Sequence, residues 1–489
     1  MEIEAEAAGG LPAFSIVGLA DVAVQEARER VRSAIVNARE KFPQRRITVN
    51  LAPAWLKKNG SHFDLPIALG ILALDKKRKF DLADKLFIGE LALDGRLRHV
   101  DGVLPIAINA SRRGIEEIYL PQENAFEASL VKGIKVIPAS NLQELIAHLE
   151  SKKKLKQLVE PVLPARERFG CAGDMAHIRG QWQAKRALEI AAAGAHNIIF
   201  SGPPGSGKTM LAQALPGILP AMTRAESLEV TEIYSVSGKL ISKEIPLVAE
   251  RPFRSPHHSA SLSSLIGGGS IPKPGEISLA HRGVLFLDEF PEFSRPVLES
   301  LRQPLEDGQV TVSRAKSSFT FPARFTLVAS MNPCPCGYFN DPKRECTCTP
   351  FDIAKYQKKI SGPLLDRIDL FAEVPPLDYS DLTSTSLAEA SALIRKRVQL
   401  ARDRQLARFQ NGKITANSEM SQLEIKKYCT TDSKGADILK KAVSHLHISA
   451  RAYFRILKIA RTIADLENKE EIASRHIAEA IQYRPKITN

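Results

Sequence analysis

Residues 201–209 read SGPPGSGKT, between an apolar run, HNIIF, and an apolar amphipathic stretch, MLAQALPGIL. That order admits one local arrangement: strand, tight loop, helix. In such a loop Gly202, Gly205 and Gly207 let backbone N–H groups turn inward onto phosphate oxygens, with Pro203, Pro204 and Ser206 completing the turn. Lys208 supplies a point charge at the β- and γ-phosphates, and Thr209 offers its hydroxyl to Mg²⁺. The competing reading is a glycine loop at an ordinary turn. The complete G-x-x-x-x-G-K-T spacing, correct on both flanks, weighs against it.

A partner strand follows in GVLFLDEF. Its continuous apolar run is expected of a strand buried on both faces of a parallel sheet, and Asp288 and Glu289 stand at its carboxyl end, where open α/β sheets bind ligands. Asp288 would hold the metal through its water shell, and Glu289 would orient and deprotonate the attacking water. A strand ending in Asp-Glu is common by itself. With the loop at 202–209 it points to ATP hydrolysis.

With 489 residues the chain is too long for one core, so several domains are expected. No span approaches twenty uncharged apolar residues, and the opening MEIEAEAAGG is acidic, so neither a membrane span nor a signal peptide is expected and the location read is cytoplasmic. A net charge of +13 favours polyanionic partners, weakly.

Four of the six cysteines fall in CPCGYFNDPKRECTC: Cys334, Cys336, Cys346 and Cys348. Two C-x-C pairs in a reducing compartment point to a tetrahedral thiolate site for structural Zn²⁺. Two disulfides or unligated thiols are the alternatives, the first disfavoured by the strain of bridging C-x-C. Cys171 and Cys429 stand alone and read as packing residues.

Along the chain, residues 1–150 alternate apolar strands with helical stretches, an α/β or α+β domain. A run with Lys152, Lys153, Lys154, Pro161 and Pro164 marks a linker at 151–167. Residues 168–378 hold the nucleotide-binding sheet, and after the VPPL break residues 379–489 read as helices. The interval between Thr209 and Asp288, rich in Gly, Ser, Pro and His, reads as loops or a hairpin beside the sheet. His257 and His258 face opposite ways if extended, which favours loop hydrogen bonding over joint metal ligation. GQVTVSRAKSSFTFPARF reads as a hairpin with Arg314 and Lys316 at its turn, either a solvated basic turn or a nucleic-acid contact.

The ordered set GPPGSGKT, RPFRSPHHSASLSSLIGGGSIPKPGEISLAHRGVLFLDEF, SMNPCPCGY, GPLLDRIDL and SARAYFRILKIARTIADL resembles the magnesium-chelatase-like AAA+ ATPases, and within them the bacterial competence branch. The resemblance covers essentially the whole chain. It implies an AAA+ P-loop core with a C-terminal helical lid, preceded by an α/β Lon-protease-like domain of the ribosomal S5 domain 2 type. It also implies that Asn332 is the sensor-1 residue near the γ-phosphate, that Arg367 is an arginine finger acting on a neighbouring subunit, and that Arg451 is the sensor-2 arginine. Their bland readings are a turn cap, a local ion pair and an exposed helical arginine. The region before Asp288 matches the helix-2 insert, and the basic hairpin matches a DNA-gripping element. In the Lon-like domain Ile67 and Ile106 occupy the nucleophile and lysine positions, so peptidase activity is not expected. The chain starts inside the family's second strand, so an opening stretch is expected to be missing.

The implied activity is an ATP- and Mg²⁺-dependent hexameric motor on single-stranded or branched DNA, independent of sequence, driving branch migration of recombination intermediates in natural transformation. A metal-insertase motor with partner subunits and a protein-remodelling factor are the alternatives. The basic hairpin, the net charge and the zinc module favour the first.

Overall fold

The computed structural model describes residues 1–19, 21–78, 80–158, 173–240, 247–269, 272–314, 317–377, 387–410, 414–446 and 448–485. Cys171 lies outside the described residues. Two compact units are present, and they do not follow chain order: Met1–Arg166 cluster with Leu228–Val248, and Glu167–Ser227 with Ala249–Asn489.

In the first unit the strand Arg46–Ala52 alternates buried and wetter residues, so Ile47, Val49 and Leu51 all face one core. It pairs antiparallel with Glu2–Ala8 and parallel with Ala13–Val17. Helix Val22–Asn37 starts where the Asp21 side chain accepts a hydrogen bond from the Val24 amide at 2.9 Å. Ile67 is fully buried on helix Asp64–Leu72, and Ile106 is part-buried on helix Val103–Arg112. Beside Ile67, the buried Asp64 accepts two bonds from Arg30, at 2.7 and 3.1 Å. Residues 228–248 join this unit through Ser235, whose hydroxyl donates to the Glu127 carboxylate and whose carbonyl accepts from the Gly102 amide at 3.2 Å.

The second unit is built on five parallel strands, in spatial order Phe253–Arg254, Val284–Leu287, Thr326–Met331, Ile198–Ser201 and Leu370–Glu373. The strand that comes first in sequence therefore lies between the fourth and the fifth. Such a switch in strand order opens a crevice at the carboxyl ends. Ile198, Phe200, Phe286 and Val328 pack toward helices Trp182–Gly194, Lys208–Ile218, Ser391–Arg408 and Ala450–Leu466. On the opposite face Ile199, Leu285, Leu287 and Leu327 pack with Phe290, Val297 and Leu298. Each such side chain contributes about 1.5–3 kcal/mol of burial, which fixes the strands as a rigid platform. The chain ends in helices, among them Gln422–Tyr428, Ser433–Leu446 and Ser474–Gln482.

Candidate nucleotide site

Strand Ile198–Ser201 runs directly into the glycine loop, and helix Lys208–Ile218 leaves it. Gly207 sits at φ +93°, a left-handed turn that residues with a Cβ rarely adopt, and so aims the helix amino end at the crevice. The Lys208 ammonium donates to the carbonyls of Gly202 (2.7 Å) and Pro203 (2.8 Å) and to Asn332 Oδ1 (3.2 Å). Burial pushes its pKa down to about 8, against the pull of the Asp288 charge. Carbonyls are weaker partners for an ammonium than phosphate oxygens, so this cation is placed to trade them for an anion.

Asp288 and Glu289 extend from strand Val284–Leu287 beside this loop. The Thr209 hydroxyl donates to Asp288 Oδ2 at 3.0 Å, and the Ser330 hydroxyl donates to Asp288 Oδ1. Ser330 also accepts from the Glu289 amide at 3.3 Å. Ser330 lies inside the apolar strand Thr326–Met331, where local pattern does not mark it as a site residue. Thr209 and Asp288 together offer a hard cation two oxygen ligands of the type Mg²⁺ takes.

The Glu289 carboxylate lies 3.2 Å from His258 Nδ1, and Glu289 itself adopts φ +51°. His257 instead meets the Ser259 hydroxyl at 2.8 Å. Residues 255–259 are not a strand, and the two rings lie 4.1 Å apart between centroids rather than on opposite sides. The following segment forms a short helix, Leu262–Ile266, and a two-stranded pairing of Gly267–Gly268 with Lys273–Pro274. Gln181, also unmarked by sequence, is buried beneath the loop and donates to the carbonyls of Ser206 (3.3 Å) and Pro375 (2.7 Å).

Arg367 and Arg451 stand elsewhere. The Arg367 carbonyl accepts from Asn197 Nδ2 at 3.0 Å, and Asn197 precedes strand Ile198–Ser201 at its amino end. Four strand residues, about 13 Å, separate that end from the glycine loop. The Arg367 guanidinium donates to Pro363 O at 2.6 Å and to Glu306, whose other oxygen takes Arg451 at 3.1 Å. The Arg367 bond, with the charges of both arginines, holds the Glu306 carboxyl below its usual range. Arg455, one helical turn beyond Arg451, donates to the carbonyls of Ile368 and Asp366 and so ties helix Ala450–Leu466 to the Arg367 turn. A cleft of about 960 Å³ opens here, lined by Arg367, Arg451 and Glu306 among others.

The four cysteines converge. Cys334 Sγ lies 3.3 Å from Cys336 and 3.7 Å from Cys346, and Cys336 lies 3.6 Å from Cys346. All four sulfurs fall within 4.8 Å of one another. Tetrahedral zinc with bonds of about 2.3 Å needs sulfurs about 3.8 Å apart, so the cluster is compatible with the metal. Amides of Cys336 and Phe339 donate to Cys348 Sγ (3.4 Å) and Cys334 Sγ (3.3 Å), bonds that favour thiolate. The Cys336 thiol is pushed down to about 5, first by a backbone hydrogen bond from the Tyr338 amide, whereas that of Cys348, against a backbone hydrogen bond from the Cys336 amide, is pushed up to about 12 by burial and then by its neighbouring thiols. A Cβ on Gly337, which sits at φ +89°, would meet Pro204 Cδ at 2.5 Å, so the cluster packs on the glycine loop. Cys429 is buried in the helical core.

Strands Gln309–Arg314 and Ser317–Pro322 pair antiparallel, with Arg314 opposite Ser317. Lys316 lies outside the described residues, as does the Arg314 side chain. Among the described residues no helix is long and apolar enough to cross a membrane.

Residues 174–382 match the family model of magnesium chelatase, subunit ChlI; residues 3–124 match that of subunit ChlI of Mg-chelatase, and residues 388–484 that of the ChlI C-terminal domain. The chain is similar to competence protein ComM of Haemophilus influenzae, 47% identical over 99% of this chain and 94% of that protein. It is similar also to the uncharacterized YifB proteins of Salmonella typhimurium and Escherichia coli, each 44% identical over 99% of this chain and 93% of theirs.

Proposed function

This chain belongs to the magnesium-chelatase ChlI family, and from that premise we propose that it is a ComM-type ATPase whose hydrolysis drives movement on DNA. The single observation that carries the ATPase reading is the meeting of Lys208, Thr209, Asp288 and Asn332 at the carboxyl ends of adjacent parallel strands. The loop amides and Lys208 bind the β- and γ-phosphates. Thr209 and Asp288 would hold Mg²⁺, which supplies charge neutralisation on those phosphates when bound. Glu289, once clear of His258, orients and deprotonates water, and Asn332 fixes the γ-phosphate beside it. Arg367 serves the site of a neighbouring subunit, because its own loop lies at the opposite end of the sheet. Arg451 shares the Glu306 carboxylate with it and is read as a second arginine for the same purpose.

Cys334, Cys336, Cys346 and Cys348 would hold Zn²⁺, which supplies a rigid cross-link when bound. Their place beside Pro204 and just after Asn332 makes the cluster a brace for both ends of the phosphate site. The name of the ComM relative and the chain's net +13 support DNA as the substrate, engaged without base reading; the arginine arrangement supports a neighbouring copy, and family resemblance a hexameric ring. ATP turnover measured with and without forked DNA tests the reading. Stimulation by the fork and its migration in the same assay are expected. ATPase activity indifferent to every DNA form would overturn the DNA part and leave the insertase and remodelling readings.

A further inference from the structure

A second groove, of about 680 Å³, opens between the residues that follow Glu289 and helix Pro350–Gln357, which follows the cysteine cluster. Pro291 and the buried Phe293 line its floor. Its walls carry four cations, Arg295, Lys355, Lys358 and Lys359, against one lining carboxylate, Glu292. Glu292 is already engaged by Lys359, at 3.0 and 3.1 Å. Arg295, Lys355 and Lys358 are exposed and make no ion pair among the described residues. The lining is thus a net cation, in which the Arg295 charge is felt by Glu299 outside the groove while Lys355 and Lys358 have no ion pair among the described residues.

Phe351 completes it. This ring is 73% exposed on the first turn of its helix. The helix start does not need it: Thr349 and Asp352 form a reciprocal capping box, and Pro350 occupies the first helical position. An aromatic face left in water on a capped helix beside exposed cations is the combination that binds single-stranded nucleic acid, with bases stacking and phosphates taking the charges. An acidic peptide would use the cations and leave the ring idle.

We propose that this groove is a single-stranded nucleic-acid site, with a base stacked on Phe351 and neighbouring phosphates on Arg295, Lys355 and Lys358. It rests on the DNA reading above and gives that reading a described location distinct from the Arg314 hairpin. Both walls are wired to the phosphate site. The Glu292 amide donates to the Glu289 carbonyl at 2.7 Å, and Gln357 Nε2 donates to the carbonyl of Pro333, next to Asn332, at 3.3 Å.

The test uses the full chain with a non-hydrolysable ATP analogue and a fluorescent oligothymidylate, read by anisotropy across a salt series. Phe351→Ala is expected to weaken binding roughly tenfold, and Phe351→Trp to keep it, because either ring stacks. Lys355→Ala with Lys358→Ala should reduce the slope of log affinity against log salt by about 1.4, two phosphate contacts at about 0.7 each for a single strand. An unchanged melting temperature shows that the variants are folded. Wild-type binding that all three alanine changes leave intact overturns the groove alone, while no binding by the unchanged protein overturns the groove and the DNA reading together. Unchanged DNA affinity with a shifted sedimentation profile would assign the groove to a second copy of the chain and also overturn the proposal.

Discussion

The two ends of the five-stranded sheet hold opposite kinds of chemistry. At the carboxyl ends two hydrogen-bonded groups stand side by side, Lys208 with Asn332 and Thr209 with Asp288 and Ser330. At the amino ends Arg367 and Arg451 are clasped by Glu306, away from any group that binds phosphate in the same chain. On the proposed reading, one end is a phosphate site with Lys208 but no arginine, and the other holds two arginines with no phosphate site beside them. If Arg367 serves a neighbour, as proposed, a second copy of the chain would complete both ends.

The sharpest way to break that comparison is to disable one end at a time. Lys208→Ala and Arg367→Ala should each lower ATP turnover by about 10³-fold or more, the first through lost phosphate binding and the second through lost charge stabilisation. Mixed in one oligomer, the two variants should recover part of the activity, since some interfaces then pair an intact loop with an intact arginine. Absence of recovery in an oligomer shown to be mixed would place Arg367 in service of its own chain, against the distance along the sheet.

Within the carboxyl end, Glu289→Gln should cut turnover by about 10²–10⁴ while ATP affinity stays near wild type, because only proton abstraction is removed. Equal loss of affinity in Glu289→Gln and Lys208→Ala would mean that both residues bind rather than divide the work.

The carboxyl end is also the legible one. Its loop is a contiguous motif and its acids close an apolar strand, so local spacing reveals them; the cysteines declare themselves by spacing too. The amino end is not legible in this way. Glu306 meets Arg367 across 61 residues and Arg451 across 145, and nothing in the local pattern of an exposed glutamate on the short helix Arg302–Asp307 says which cation it will find. The same holds for His258, whose partner is set by how the loop after Phe253–Arg254 turns back to the neighbouring strand. Helix Arg224–Ser237 lies in the interval that the sequence reads as loops or a hairpin, and most of it clusters with the first unit.

The cysteine cluster sharpens the comparison because it braces only the carboxyl end. Cys336→Ser with Cys348→Ser should bring bound zinc, measured by elemental analysis, well below one per chain. It should also lower the melting temperature by about 5–10 °C and ATP turnover by about tenfold, since Pro204 and Asn332 both lose their support. Wild-type protein carrying no zinc after purification in metal-replete medium would remove the metal from this account.

The smallest effect should come from Glu306→Gln, and it probes how the amino end is held. The carboxylate and Arg451 are about half exposed, so the Arg451 half of the clasp is a surface ion pair, worth at most about 1 kcal/mol, while Arg367 is largely buried. On the proposed reading it still competes, because guanidiniums held by Glu306 are not free for a neighbour's phosphate. Glutamine keeps a hydrogen-bonding oxygen and removes the charge, so the arginines should be freer to leave. The subunit concentration for half-maximal ATPase should therefore fall two- to fivefold, with turnover at saturating concentration little changed. In an Arg367→Ala background the same substitution should lose most of that effect. A fall that persists undiminished there would show that Glu306 acts through Arg451 alone, and a rise would show that the carboxylate positions the arginines for their neighbour rather than withholding them.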